Sequence, residues 1–265
     1  MRRLVRCGLL LLAVGACSEE PRLEPNGPIK IVGDTIIVGG KIDADLASSV
    51  INALNLTDSL TTMLISSPGG DAQAGMAIGS AVHRAGLDVI VRGVCASACA
   101  QYVFVAGDKK RVEEGGIIAL HSSPSAMEAV LEKSPYRTQS YVFSEVATTE
   151  ALFYQELEIS AQFPLIAASQ MTPTCALKIG NEAVAAAEQY GVGWAASAFV
   201  PSPAQLRYLG VENIEGNWPS PRGLRDDLIR LGFSPEFRPV YNQAAKLSTV
   251  LPAIGVCKFT DNREK

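Results

Sequence analysis

Hydrophobic and polar positions along the first half of this chain switch repeatedly between a two-residue and a 3.6-residue period. The short apolar-rich runs 29–32 and 35–38 flank Gly33-Asp34, which predicts two strands around a tight turn. Leu46, Val50, Ile51 and Leu54 recur at helical spacing behind Asp43 and Asp45, either of which can cap a helix reaching about residue 54. Residues 61–65 read as a short buried strand. It runs out into Ser66-Ser67-Pro68-Gly69-Gly70-Asp71, and a helical pattern follows over about 72–85. Residues 89–91 form a further strand, Gly93 leads into a helix beginning near Ser97, and Arg111-Val112 and 117–120 return to strand.

Strands alternating with helices at this rhythm predict an α/β fold of βαβ units on a mostly parallel sheet. From 141 to 190 the pattern is largely helical, broken at Pro164 and Pro173. Residues 217–265 carry Pro219, Pro221, Pro235, Pro239 and Pro252 and read as a small C-terminal extension with one helix near 224–231. Internal repeats and low-complexity tracts are absent from the sequence.

Composition narrows the class. Hydrophobic residues make up 48% of the 265 and charged residues 19%, so the chain can bury a core and is not a disordered tail. A net charge of −4 lacks the basic face that nucleic-acid binding draws on. The sequence holds no apolar run of the length a membrane span needs. Its start reads as an address: Arg2, Arg3 and Arg6, a short apolar stretch over 9–14, then Val14-Gly15-Ala16-Cys17. That boundary resembles the lipobox of bacterial lipoproteins, where the cysteine is lipidated and becomes the mature N-terminus. The resemblance implies a lipoprotein-type signal peptide over 1–17, lipid on Cys17, and export to the periplasmic side of the bacterial cell envelope with membrane attachment through that anchor. The plainer reading of the same residues is an ordinary secretory signal. Residues 18–30, with Glu19, Glu20, Pro21, Pro25, Gly27 and Pro28, read as a flexible tether.

Four cysteines lie beyond the leader, an even number suited to an oxidising compartment. Cys95 and Cys99 sit in an apolar, small-residue stretch, where buried free thiols are at least as natural as a bridge. Cys175 and Cys257 are hypothesised to pair and tie the tail to the helical region.

Three segments carry candidate chemistry. Ser67-Pro68-Gly69-Gly70 follows a strand, and its glycines permit φ > 0, so that backbone N–H groups can turn outward toward an oxyanion. Strand-to-helix turns also use such residues for purely structural reasons. Gly93-Val94-Cys95-Ala96-Ser97-Ala98-Cys99-Ala100 places a serine among small residues where a helix begins. Its hydroxyl would lie at the positive helix end, with room for a substrate backbone; a simple N-cap serine is the structural alternative. Ile117-Ile118-Ala119-Leu120-His121 puts a histidine directly after an apolar strand, at the sheet end where α/β sites lie. The other histidine, His83, falls late in a polar-faced helix and is expected to face solvent.

Together these segments, with Ser97 27 positions after Gly70 and 24 before His121, resemble the ClpP-like serine peptidases. That group includes the ClpP proteolytic subunit and, more loosely, signal peptide peptidase A and the wider crotonase-like superfamily. The resemblance extends to Phe199-Val200-Pro201-Ser202-Pro203-Ala204-Gln205-Leu206-Arg207-Tyr208-Leu209-Gly210-Val211, where the family has a helix reading Ser-x-x-Glu-Ala-x-x-x-Gly-Leu-Val. It covers roughly 31–216 and implies a ClpP/crotonase-like spiral of βαβ units with a helical insertion. It further implies a serine hydrolase acting on peptide or protein substrates: Ser97 as nucleophile, His121 as general base, and the N–H groups of Gly69 or Gly70 and of Ala98 as the oxyanion hole. Self-association into a homo-oligomer also follows by analogy. Neither metal nor organic cofactor is implied.

The match fails at one place. The family has an aspartate two positions before the phenylalanine equivalent to Phe199, where this chain has Ser197, and no aspartate occurs between Asp108 and Asp226. A serine, asparagine or glutamate can then orient His121, with Ser197 the candidate third position, or the site is a serine–histidine dyad or degenerate. A catalytically weak or inactive peptide-binding protein of the cell envelope is the alternative function. A crotonase-type acyl-CoA enzyme conflicts with export, and a serine–lysine dyad using Lys109, Lys133 or Lys178 conflicts with His121 in its matching segment.

Overall fold

Gly33, at φ +62°, turns the chain between β1 (Lys30–Val32) and β2 (Thr35–Gly39), which pair antiparallel as expected. This is a computed structural model, and it describes residues 29–134, 137–171, 173–175, 192–194, 198–216, 218, 224–231, 239–241 and 258–259. Helix α1 (Ala44–Leu56) starts at Asp43, whose carboxylate accepts the Leu46 N–H at 2.9 Å, a cap worth about 1 kcal/mol. The chain continues through β3 (Thr62–Ser67), α2 (Ala72–Ala85, capped by Asp71) and β4 (Asp88–Ala96). Strand β5 (Lys110–Val112) and β6 (Ile117–Ala119) follow. From β2 onward the sheet is parallel, with β3 between β2 and β4 and with β4 pairing both β5 and β6.

That double pairing corrects the expected end of β4. Gly93 does not lead into a helix; it sits within the strand at φ +84° and bends it. Val89–Val91 pair with β5, and beyond the bend Val94–Ala96 pair with β6. A strand that gains a second partner past its glycine continues, because the new ladder satisfies its backbone groups.

The main core lies on one face of this sheet, where register partners of β2, β3 and β4 share a side. Ile36, Val38, Met63, Ile65, Val89 and Val91 are buried with Ile78 and Val82 of α2 and with Phe104 from the segment after Ser97. A helical insertion follows β6: α3 (Pro124–Glu132), α4 (Tyr141–Glu156) and α5 (Ile166–Gln170). Helix α3 was not apparent from periodicity; Ser123 caps it, accepting the Ala126 N–H, and Pro124 occupies its first turn. The expected helical run then fails at Pro173. Strand β7 (Pro173–Cys175) pairs antiparallel with β8 (Val192–Trp194), since proline cannot donate within a helix and Thr174 favours extended backbone. Residues 176–191 lie outside the described residues.

Strand β9 (Ala198–Val200) docks beside the end of β6, and β10 (Ile214–Gly216) adds to β5. The expected C-terminal helix is present at Leu224–Arg230; Leu224 and Leu228 pack with Ile117, Ala119, Ala198 and Val200. Lys258–Phe259 pairs with β7, so the chain end returns to the strand that carries Cys175. Cys257, and with it the hypothesised Cys175–Cys257 bridge, lies outside the described residues, as does the leader with Cys17. Among the described residues no helix is long and apolar enough to cross a membrane.

Candidate active site

Both candidate catalytic side chains come from the carboxyl ends of neighbouring parallel strands. Ala96 and Ala119 are register partners at the ends of β4 and β6, and the Ser97 N–H donates to the Ala119 carbonyl at 2.8 Å. Ser97 therefore emerges beside Leu120, one residue before His121. Its backbone is left-handed, at φ +51°, a conformation that costs a non-glycine residue roughly 1–3 kcal/mol and persists only where the surroundings hold it. The Ser97 carbonyl accepts the Gln101 N–H at 2.9 Å, closing the first turn of the segment that continues as a π-helical turn over Cys99–Val103. Strand, sharp turn and helix together place Ser97 at the start of that turn.

Small residues let the neighbouring elements approach this turn. A Cβ on Gly69 (φ +91°) would collide with the Ala96 carbonyl and stand 2.7 Å from the Ser97 Cβ and 2.9 Å from the Ala98 nitrogen. A Cβ on Gly75 would lie 2.8 Å from the Tyr102 ring and 3.1 Å from the Ala98 Cβ, so α2 crosses the turn at glycine distance. The Gly69-Gly70 loop is also fixed from outside by the fully buried Ile42. Its N–H donates to the Gly69 carbonyl and its carbonyl accepts from Asp71, both at 2.9 Å.

The fate of the backbone donors separates the two glycines. The Gly69 N–H donates to Ser67 Oγ at 3.0 Å within the buried loop base. Neither the Gly70 nor the Ala98 N–H is taken up by a turn, cap or side-chain bond among the described residues.

His121 occupies the short link between β6 and α3, held by paired bonds between Leu120 and Phe199 (2.7 and 2.8 Å) just before it. Burial holds its imidazole below the ordinary histidine pKa, which keeps it neutral and able to accept a proton. Among the described residues no carboxylate opposes that shift. Ser197, the candidate third position, lies outside the described residues, although β9 begins at the next residue, Ala198. His83 is exposed on α2, as expected. Among the described residues no three His, Cys, Asp or Glu side chains come together as metal ligands would.

Two features escaped the sequence reading. Cys95 and Cys99 form a disulfide, the bridged one of the two states the sequence left open; their Cα atoms are 5.2 Å apart, one on each side of Ser97. A strand end and the following helical turn bring positions four apart within bridging distance, which the apolar composition did not reveal. The second feature is Glu150, fully buried on α4. Its carboxylate accepts the Tyr102 hydroxyl (2.7 Å) and the Ser125 N–H and hydroxyl (2.9 and 2.5 Å). It thereby joins the segment behind Ser97 to the start of α3 behind His121. Burial raises its pKa, with the bonds from Ser125 and Tyr102 opposing. The signal was available: Glu150 lies at helical spacing from Ala147, Phe153 and Tyr154, on the buried face.

The family model described as Clp protease matches residues 31–130, a stretch that contains Gly69, Gly70, Ser97, Ala98 and His121 but not Ser197. Among solved structures, a ClpP1 mutant from Listeria monocytogenes is 22% identical, with a TM-score of 0.35, over 48% of this chain and 77% of that one. No curated protein matches the chain. The fold is α/β and ClpP-like, and over residues 31–130 the chain is similar to the Clp protease family.

Proposed function

We propose that this chain is a serine peptidase-like hydrolase that cleaves peptide bonds through an acyl-enzyme on Ser97. The observation that carries this reading is Ser97 itself. It is a strained, left-handed serine at a strand-to-helix turn, with free N–H groups at Gly70 and Ala98 and a neutral histidine at the end of the adjacent strand. In the step this supports, His121 accepts the Ser97 hydroxyl proton as the oxygen attacks the scissile carbonyl. The carbonyl oxygen, now negative, is held by the Gly70 and Ala98 N–H groups. The imidazolium then gives its proton to the leaving amine, and the carbon–nitrogen bond breaks. Water, deprotonated by His121, attacks the ester and frees Ser97.

The test is turnover of an unfolded protein substrate by wild type and by Ser97→Ala. A loss of about three orders of magnitude in the variant, with unchanged unfolding behaviour, is expected; equal hydrolysis by both would remove the reading. Among the described residues no carboxylate acts on His121, which favours a second reading, a ClpP-like peptide-binding protein of low or no activity. Peptide binding without turnover in wild type would select it.

The same proposal places the domain on the periplasmic side of the cell envelope, attached through lipid on Cys17 by the sequence Val14-Gly15-Ala16-Cys17. Cys17→Ser is expected to move the protein from the membrane fraction to the soluble one; retention with normal processing would contradict the anchor.

A further inference from the structure

Ser97 is held on both sides by one covalent link. Cys95 is the penultimate residue of β4, and Cys99 opens the π-helical turn; both are fully buried and bonded to each other. Between them lie Ala96, the left-handed Ser97 and Ala98, which carries one of the two free donors. On the strand side, Cys95 is anchored by its register with Ile118 of β6 and Ser67 of β3. On the helix side, the Cys99 carbonyl accepts the Phe104 N–H. Ser97 contributes two backbone bonds of its own to the turn, to Ala119 and from Gln101. The disulfide therefore spans the part of the site where conformational strain and functional geometry coincide.

From this placement we infer that the Cys95–Cys99 disulfide is a positioning clamp for the nucleophile, and that the site works fully only in its oxidised form. This rests on the peptidase reading of Ser97. Reduction adds two electrons and two protons to the sulfur–sulfur bond and yields two thiols, with a small dithiol as the reductant, itself oxidised to a cyclic disulfide. Without the bridge, Ser97 can leave the left-handed region, which carries its hydroxyl and the Ala98 N–H away from the Gly70 N–H. A displacement on the order of 1 Å at a reacting centre costs about a hundredfold in rate. The buried sulfurs are poorly accessible to a thiolate, so reduction is slow in the folded protein and is best carried out in mild denaturant, with refolding afterward.

Two measurements on the full chain test the clamp. The first is the rate of fluorophosphonate labelling of oxidised wild type, dithiothreitol-reduced wild type and the double variant Cys95→Ala/Cys99→Ala, against ambient redox potential. Wild type is expected to lose about a hundredfold in rate across a single two-electron transition and to recover it on reoxidation. The double variant is expected to label slowly at every potential. The second is amide hydrogen exchange over residues 95–106, which is expected to accelerate on reduction and needs no activity. If oxidised wild type fails to label while exchange still responds to reduction, the peptidase reading falls and the clamp stands. Equal labelling and equal exchange in both redox forms would overturn the clamp, as would two free thiols at Cys95 and Cys99 in denatured, unreduced protein. Should the double variant not fold, the wild-type redox comparison carries the same decision.

Discussion

A methyl group on Gly69 would stand 2.7 Å from the Ser97 Cβ, so the loop after β3 and the turn that carries Ser97 meet at backbone distance. The glycine is required twice, by that contact and by its φ of +91°.

Gly69→Ala is therefore expected to destabilise the protein by about 1–3 kcal/mol and to suppress labelling of Ser97, because the colliding atoms, the Ala96 carbonyl, the Ser97 Cβ and the Ala98 nitrogen, cannot swing aside. Gly33→Ala is the control. Its φ is also positive, at +62°, but nothing lies within 4 Å of the added carbon, so it pays only the backbone penalty, about 1–2 kcal/mol, and leaves labelling unchanged. Urea unfolding and labelling rates on both variants check this. Normal labelling in folded Gly69→Ala would show that the loop does not shape the site.

Protonation of His121 gives a second expectation. Burial lowers its pKa from 6.5, so the unfolded chain binds more protons than the folded one between the folded value and 6.5. Its contribution to stability is complete above 6.5, declines as pH falls through that window, and levels off below the folded value. The acid limb of the labelling rate is likewise expected below 6.5, since the base stays neutral there. Unfolding midpoints of wild type and His121→Gln across this range measure the first effect, and rate profiles of wild type measure the second. A labelling limb at or above 6.5 would contradict the enclosed, unpaired imidazole.

Glu150 carries the opposite slope. Its pKa is raised from 4.5, so the folded state binds the extra proton, and stability falls as pH rises from 4.5 through the folded value. Glu150→Gln removes that slope and retains an acceptor oxygen for the Tyr102 hydroxyl or Ser125. Glu150→Ala leaves buried donors of Tyr102 and Ser125 unsatisfied and is expected to cost about 3 kcal/mol. Equal stability of the Ala and Gln variants across pH would show that the network does not hold α4 to its neighbours.

The parts of this molecule legible in its sequence are those governed by local rules. Pro68-Gly69-Gly70 announces its turn because glycine alone tolerates its geometry, Asp71 announces the start of α2, and small residues around Ser97 announce a close approach. What escaped depends on partners distant in the chain. β4 continues past Gly93 because β6, more than twenty residues on, supplies a new ladder. Pro173–Cys175 is extended because Val192–Trp194 pairs with it. Glu150 is tolerated in the core only because Tyr102 and Ser125 meet it there. The Cys95–Cys99 bridge, though local, depends on the left-handed turn at Ser97, which composition does not encode.

A Ser97 nucleophile activated by His121 leaves a covalent signature. Mass-spectrometric mapping of the fluorophosphonate adduct on wild type, Ser97→Ala and His121→Ala tests it most directly. A single adduct on the peptide containing Ser97 is expected in wild type, none in Ser97→Ala, and labelling slowed by about a thousandfold in folded His121→Ala. An adduct on any other serine, or undiminished labelling of either variant, would contradict it.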